Sequence, residues 1–456
     1  MPSGLRCLGD VKPPLLQTGT LACGNSQCTM RLRGGSPCNA VCESYTQRRG
    51  LPCKSRSICG IGEPVPDYGM TQKGRYTASW VDALGHVDED AWQALAGGHP
   101  FTSYAFLQLL ETTGCVGAKT GWHARHLLLH EGGVLVAAAP SYFKTHSRGE
   151  FVFDQAWAQA FEAHGLFYYP KLVVAVPFTP VQGPRLLAKD EAARRALAHE
   201  LAAVCDAMQV SSVHVLFTAP QDRAALAGAG FMLRENVQFH WQNDGYTCTE
   251  EFLARLSQDK RKKLRQDTRY VASAGITYRW LEGAQLQRAH LEFFYACYVN
   301  TYTEHWSQPY LSLEFFLRAH AERVLDFVLI LAERDGAPVA VALNVRAGNT
   351  LYGRHWGTTE FVKGLHFETC YMQSIAYCIQ HGLEYFEGGA QGEHKMARGL
   401  LPVKMFSAHW VADRRFAAAI DHFLQRETVA VDGYVDELQR ANPFKVDAKS
   451  RGGGGA

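Results

Sequence analysis

Phe327-Val328-Leu329-Ile330-Leu331-Ala332-Glu333-Arg334-Asp335-Gly336-Ala337-Pro338-Val339-Ala340-Val341-Ala342-Leu343-Asn344-Val345 is followed, past Gly348-Asn349, by Leu351-Tyr352-Gly353-Arg354-His355-Trp356. Two apolar runs of strand length meet at Asp335-Gly336, a dipeptide that tolerates the positive φ of a tight hairpin turn. A second bend at Gly348-Asn349 leads into a third run, so the stretch reads as an antiparallel meander preceded by a helix-like Leu311 to Arg318. The same order occurs once before. A helix-like Phe101 to Leu110 precedes the strand His126 to His130, the turn Gly132-Gly133, the strand Val134 to Phe143, a bend at Gly149 and a strand Glu150 to Asp154. Gly133 and Gly336 lie 203 residues apart, and a repeat of that length reads as a duplication. Each meander is followed by a helix, Asp190 to Met208 in the first half and His366 to Gln380 in the second, the latter closed by Gly382 and leading to a strand-like Leu383 to Glu387. The predicted fold is therefore α+β and built twice, each half a mixed, mainly antiparallel sheet with packed helices.

Outward from this repeat, composition sets the limits of the folded part. The chain has 456 residues, 47% of them hydrophobic and 20% charged, with a formal charge of +2. That balance gives no global reason to expect a polyanion or a membrane surface as partner, so any basic site must be local. The longest apolar runs, Val134 to Pro140 and Leu172 to Phe178, are far shorter than the roughly 18 residues of a spanning helix, and no membrane insertion is expected. Residues 1–69 contain no Phe, Trp or His but 7 of the 18 Pro and 10 of the 42 Gly, too little apolar surface to offset ordering entropy. They read as a disordered leader or an over-extended N-terminus, with the folded chain beginning at Met70. The seven Cys of this segment lack paired zinc spacings. Because the segment bears Arg and is poor in acids, it also resembles an organellar transit peptide. The six later Cys read as reduced thiols, which places the protein in the cytoplasm, or in a plastid or mitochondrion if the leader is a targeting segment. Expected boundaries are a first domain at 70–236, a second at 237–445 that begins with a basic helix, and a flexible Gly-rich tail at 446–456.

Motifs narrow the chemistry. No G-x-G-x-x-G, G-x-x-x-x-G-K-[ST] or G-x-S-x-G occurs, which disfavours dinucleotide-binding, P-loop and serine-hydrolase sites. Between the halves, Glu251 to Ala274 carries Phe252, Leu253, Leu256 and Leu264 on one face and Lys260, Arg261, Lys263 and Arg265 on the other. This is the strongest local positive patch; it is either a solvated helix face or a surface for the phosphates of a CoA, a nucleotide or an RNA backbone. Four of the nine Trp follow a His, at His240-Trp241, His305-Trp306, His355-Trp356 and His409-Trp410. On a strand the two neighbours face opposite ways, so one packs the core while the other hydrogen-bonds structurally or lines a groove, which makes His240 and His355 candidates for substrate binding. No His/Cys spacing suits a metal ion, and none is expected.

The segments His146-Ser147-Arg148-Gly149-Glu150-Phe151-Val152-Phe153-Asp154, Tyr168-Tyr169-Pro170-Lys171-Leu172, Gln238-Phe239-His240-Trp241 and Glu387-Gly388-Gly389-Ala390-Gln391-Gly392-Glu393-His394-Lys395-Met396-Ala397-Arg398-Gly399 resemble the FemAB-like family of N-acyltransferases, whose members carry the description peptidoglycan biosynthesis or recognition. The resemblance covers residues 80–445 and implies tandem GNAT-like domains, in agreement with the duplication. It implies transfer of an acyl or aminoacyl group from acyl-CoA or aminoacyl-tRNA, used as co-substrate with no tightly bound cofactor, to an amine of a small molecule or peptide; tRNA is then a partner. Where an ordinary GNAT loop would cradle the CoA pyrophosphate with several glycines, this chain reads Gly357-Thr358-Thr359-Glu360-Phe361-Val362-Lys363-Gly364-Leu365-His366, with fewer glycines and a carboxylate. A GNAT-fold binding module without turnover, recognising a peptidoglycan-like or other peptide ligand, is the alternative.

Acyl transfer to an amine needs a base for the ammonium proton and cations or donors for the developing oxyanion. Gln391 to Arg398 holds every required type: Glu393 as the expected base with His394 its competitor, Lys395 and Arg398 for charge, and Gln391 beside them for substrate. An extended segment puts Glu393 beside Lys395; a helical turn instead aligns His394 with Arg398. His146, Arg148, Glu150 and Asp154 form a second polar cluster, expected on a strand with Arg148, Glu150 and Asp154 opposite Phe151 and Phe153, as an acceptor pocket or a solvent-facing edge.

Overall fold

A computed structural model describes residues 71–445 apart from His305 and Gln391. The expected leader at 1–69 and tail at 446–456 lie outside the described residues, as does Gln391. Sixteen strands occur among those described: β1 Thr71–Lys73, β2 Tyr76–Val81, β3 Trp122–Ala124, β4 His126–Glu131, β5 Val134–Ala139, β6 Ser141–Lys144, β7 Lys171–Val174, β8 Leu187–Ala188, β9 Ser212–Val215, β10 Met232–Gln242, β11 Ile276–Glu282, β12 Asp326–Arg334, β13 Ala337–Ala347, β14 Thr350–Thr358, β15 Tyr385–Glu387 and β16 Leu401–Val411. They form a five-stranded sheet of order β1-β2-β4-β5-β8 and an eleven-stranded sheet of order β11-β12-β13-β14-β15-β10-β16-β9-β7-β6-β3.

The second half follows the pattern of its sequence. β11 to β14 are an antiparallel meander, and a helical segment Leu365–Gln380 then carries the chain over to β15, which lies parallel to β14. The first half repeats this with a break. Pro140 has no N–H to give to a ladder, and the run expected as one strand from Val134 to Phe143 is split there into β5 and β6. β5 pairs with β4 in the small sheet, while β6 pairs with β3 and β7 in the large one. The helix Glu191–Met208, capped by the Asp190 side chain on the Ala193 N–H at 2.8 Å, then returns the chain to β9, parallel to β7.

The last strand of each half crosses to the other. β10, which follows β9 in sequence, pairs with β15; β16, which follows β15, pairs with β9; β10 and β16 pair with each other from Met232↔His409 to His240↔Leu401. The halves therefore share one sheet, and the division expected at 236/237 falls inside β10.

Helices cover both faces of the large sheet. On one, Tyr104, Phe106, Leu107, Leu109 and Leu110 of the helix Tyr104–Thr112 are buried with Phe294, Tyr298, Phe315 and Phe316 of the helices Arg288–Glu304 and Leu313–Ala321. Each such side chain contributes about 1.5–3 kcal/mol by leaving water. On the other face Trp241, Phe252, Leu264, Ile375 and Phe386 form a separate core. The basic segment expected as one helix is two, Thr249–Arg255 and Gln258–Ser273, because the chain near its end docks at the junction: Leu256 pairs with Phe444, and the Ser257 N–H donates to Pro443 O at 2.9 Å.

Residues Glu150 to Asp154, expected as a strand, are loop. Glu150 and Asp154 point inward, and Phe153, expected on the apolar side, is 58% exposed. The cause is Lys171, wholly buried at the start of β7: a buried ammonium needs carboxylates, and this demand overrides the apolar alternation.

Candidate functional site

Two features of β14 open a wedge in the second half. Asn344 pairs with Gly353 and Leu343 with His355, so Arg354 is the extra residue of a β-bulge, a device that re-aims side chains and interrupts pairing. Parallel pairing with β15 is limited to Thr350↔Tyr385, Leu351↔Phe386 and Tyr352↔Glu387. Beyond Glu387 the chain leaves through Gly388-Gly389 while β14 continues to Thr358. Gly389 has φ +86°, where a side chain would be strained, and a Cβ on Gly388 would stand 2.5 Å from Leu400 Cδ2.

Four ionisable groups meet at this opening. Glu387 lies opposite His240 across the β10–β15 pair, and its Oε2 is enclosed without a hydrogen-bond partner among the described residues. Burial pushes its carboxyl up to about 7, with Arg354 opposing. Burial also lowers the Arg354 guanidinium to about 10 against the pull of Glu387. His240 is held near 4 by burial and then by the charge of Lys395. Lys395 is buried, its Nζ donates to Gly389 O at 2.8 Å, and burial brings its ammonium down to about 8.

The Glu393–Arg398 segment is a 3₁₀ turn, not an extended strand continuation. Glu393 consequently faces outward and accepts from Tyr434 Oη at 2.6 Å, while Lys395 turns inward. His394 is within 3.2 Å of Tyr371 Oη, and burial followed by Lys395 and Arg398 lowers it to about 4. Arg398 is buried; it donates to His394 O at 2.7 Å, lies 3.6 Å from the Asp267 carboxylate and stacks over the Phe367 ring. Asp267 belongs to the helix Gln258–Ser273, whose Lys263 and Arg265 are exposed and whose Lys260 and Arg261 are half-buried. That helix therefore flanks the turn that carries Lys395 and Arg398. His355 is placed among Phe294, Tyr298 and Phe316, and burial and then Arg354 keep it neutral, well below the ordinary imidazole value.

The cluster in the first half divides. Arg148 is exposed and His146 half-buried, with its imidazole lowered to about 4 by burial and by Lys144 and Arg148. Glu150 and Asp154 instead clasp Lys171, the former at 2.8 Å. Burial raises Glu150 to about 7 against Lys171; for Asp154, Lys171 and His214 overcome burial and hold the carboxyl at about 2. From Asp154 the hydrogen bonds run through Tyr168 Oη to His214 Nε2, and His214 Nδ1 is 2.7 Å from His409 Nδ1. The loop meets the wedge indirectly: Gly149 packs on Phe178, whose carbonyl accepts from Arg354 at 2.8 Å.

Sequence reasoning named Lys395, Arg398, His240 and the basic helix as separate candidates but missed Glu387, Arg354, Lys171 and the His214–His409 pair. Two signals were available. Glu387 opens the glycine-rich motif at a strand end, and Arg354 interrupts an otherwise apolar strand.

The family model described as FemAB-like, peptidoglycan biosynthesis/recognition, matches residues 83–446. Among solved structures, FemX is 13% identical, with 74% of this chain and 99% of that one covered at a TM-score of 0.47. The C-terminal domain of a putative lysylphosphatidylglycerol synthetase from Agrobacterium fabrum is 10% identical over 75% and 97% at 0.46. A tandem GNAT protein from the clavulanic acid biosynthesis pathway is 10% identical over 74% and 99% at 0.39. No curated protein matches the chain.

Proposed function

The chain belongs to the FemAB-like family, and from that premise we propose that it is an N-acyltransferase, moving an acyl or aminoacyl group from acyl-CoA or aminoacyl-tRNA to an amine. The observation that carries this reading is the parting of β14 from β15, which gathers Glu387, His240 and Arg354 at one opening with Lys395 beside them. Glu387 is the base: a carboxyl raised to about 7 is half ionised near neutrality and takes the ammonium proton with little mismatch. The freed amine attacks the donor carbonyl; a C–N bond forms and the C–S or C–O bond breaks. Lys395 stabilises the oxyanion and, with its ammonium near 8, gives the leaving thiolate or alkoxide its proton. Glu393 faces outward toward Tyr434, away from the opening, and His394 with its depressed imidazole is a weak base; His394 and Arg398 serve the donor side. Lys260, Arg261, Lys263 and Arg265 hold the donor's phosphates. The six cysteines among the described residues are free, which fits a reducing compartment, and we place the protein in the cytoplasm.

The test is turnover by the full chain. Acyl-CoA donors are offered with a panel of amines while free thiol is read, and aminoacyl-tRNA is offered while deacylated tRNA and amide product are read. Amide formation that depends on both substrates supports the reading. Saturable binding of donor and amine with no product overturns it in favour of the binding module.

A further inference from the structure

Arg354 is a half-buried cation whose hydrogen bonds are all to neutral groups. Its Nη2 donates to Phe178 O at 2.8 Å and Thr179 Oγ1 at 3.3 Å, and no carboxylate of the described residues forms an ion pair with it. The buried Arg185 shows how this chain satisfies a structural guanidinium: Nε, Nη1 and Nη2 donate to the carbonyls of Leu216, Pro184 and Val181, and Asp222 lies close enough to act on its charge. Arg354 has two acceptors, both on one nitrogen, and the neighbouring carboxyl, Glu387, is itself pushed toward the neutral form by burial. Guanidinium N–H groups left without a protein acceptor at the opening are a site for an anion.

Arg354 borders a narrow cavity of about 20 Å³ together with Phe101, Phe106, Thr179, Leu343, Phe316 and His355. Apart from Arg354 these walls are apolar or carry neutral groups, since His355 is kept uncharged. The space takes one small group, such as a single carboxylate oxygen, and no long chain. Low polarity around it strengthens a charge-assisted pair.

Resting on the transfer reading above, we propose that Arg354 receives the carboxylate of the amine acceptor, so that the acceptor is an α-amino carboxylate whose amino group lies at Glu387. The spacing follows from the strands. Tyr352 is the direct partner of Glu387, and Arg354 stands just beyond it on the neighbouring strand, about 4.8 Å away in the pairing direction. A carboxylate and an amine joined through one carbon, with a hydrogen bond at each end, bridge side chains on neighbouring strands. The bulge at Arg354 turns the guanidinium into the cavity, and the loop carrying Phe178 and Thr179 fixes it there.

Calorimetric titration of the full chain without donor tests the assignment, using L-alanine, L-leucine and L-phenylalanine, each against its C-terminal amide. At least one acid is expected to bind at least 30-fold tighter than its amide. Arg354→Met should bind the two alike, and Arg354→Lys should fall between. Equal affinity of acids and amides for the wild-type chain, absence of binding by all three acids, or a preference that survives in Arg354→Met overturns it. The wild-type comparison needs no variant to fold. An Arg354-dependent preference with no amide formed from any donor keeps this site and sinks the transfer reading. Equal kcat/KM on amines with and without a carboxylate keeps transfer and sinks this site.

Discussion

His240 and Glu387 stand directly opposite each other across the β10–β15 pair, and His409 and His214 occupy the matching places across β16–β9. Each half thus has a histidine from the strand lent by the other half beside the end of its own parallel pair. This accounts for two of the four His-Trp dipeptides: His240 stands opposite Glu387 and His409 meets His214, while Trp241 and Trp410 pack into the cores behind them. The two sites differ in content. In the first, hydrogen bonds join Lys171, Asp154, Tyr168, His214 and His409 into one chain; in the second, no hydrogen bond links Glu387, Arg354 and Lys395 to one another, and Glu387 Oε2 has no partner among the described residues.

Glu387→Gln should fold and lose about 100-fold or more in turnover. Glu393→Gln should stay within a few-fold of the parent. The wild-type rate should fall as pH drops through about 7, where the carboxylate protonates. Stability moves oppositely. A carboxyl raised in the fold contributes fully below its unfolded value and loses that contribution as pH rises through about 7, so Glu387→Gln should gain about 1–3 kcal/mol at pH 8.5 and nothing at pH 4. Urea titrations at the two pH values check the sign.

Lys171→Met leaves Glu150 and Asp154 buried without a cation. The expected loss at pH 8 is about 3–5 kcal/mol. It should shrink at pH 5, because Glu150, raised to about 7, is then neutral. An equal loss at both pH values would mean that packing, not charge, makes Lys171 necessary.

Acid should destabilise the fold between about 6.5 and 4. Burial holds His99, His146, His240, His366 and His394 near 4 and His214 near 3, so the unfolded chain takes up protons first and stability falls as pH drops through that window. Glu150 and Glu387 act with opposite sign, but six histidines outnumber them. A melting temperature constant from pH 7 to 4 would contradict this account.

Neutralising Lys260, Arg261, Lys263 and Arg265 together should weaken CoA binding about tenfold and flatten its dependence on salt. The melting temperature should change little, since Lys263 and Arg265 are exposed and the buried Leu264 and Val271 anchor the helix. Unchanged affinity and salt slope would leave a solvated helix face.

Glycine turns and runs of Val, Leu and Ile are local properties, and from them the sequence by itself determined the second meander, the hairpin at Gly132-Gly133 in the first half and the helices that follow. It also marked Glu387 to Gly399 as the densest polar motif. What it could not specify is which strand pairs with which over a long separation. The exchange of β10 and β16 between halves depends on contacts between residues more than 140 positions apart, such as His240 with Glu387. The burial of Lys171, which drew Glu150 and Asp154 inward against their apolar alternation, and the 3₁₀ turn that sends Glu393 outward and Lys395 inward, likewise exist only once the sheet has formed. Alternation in a strand predicts a face, but only the assembled wedge decides which face is dry, and dryness is what moves Glu387 toward neutrality.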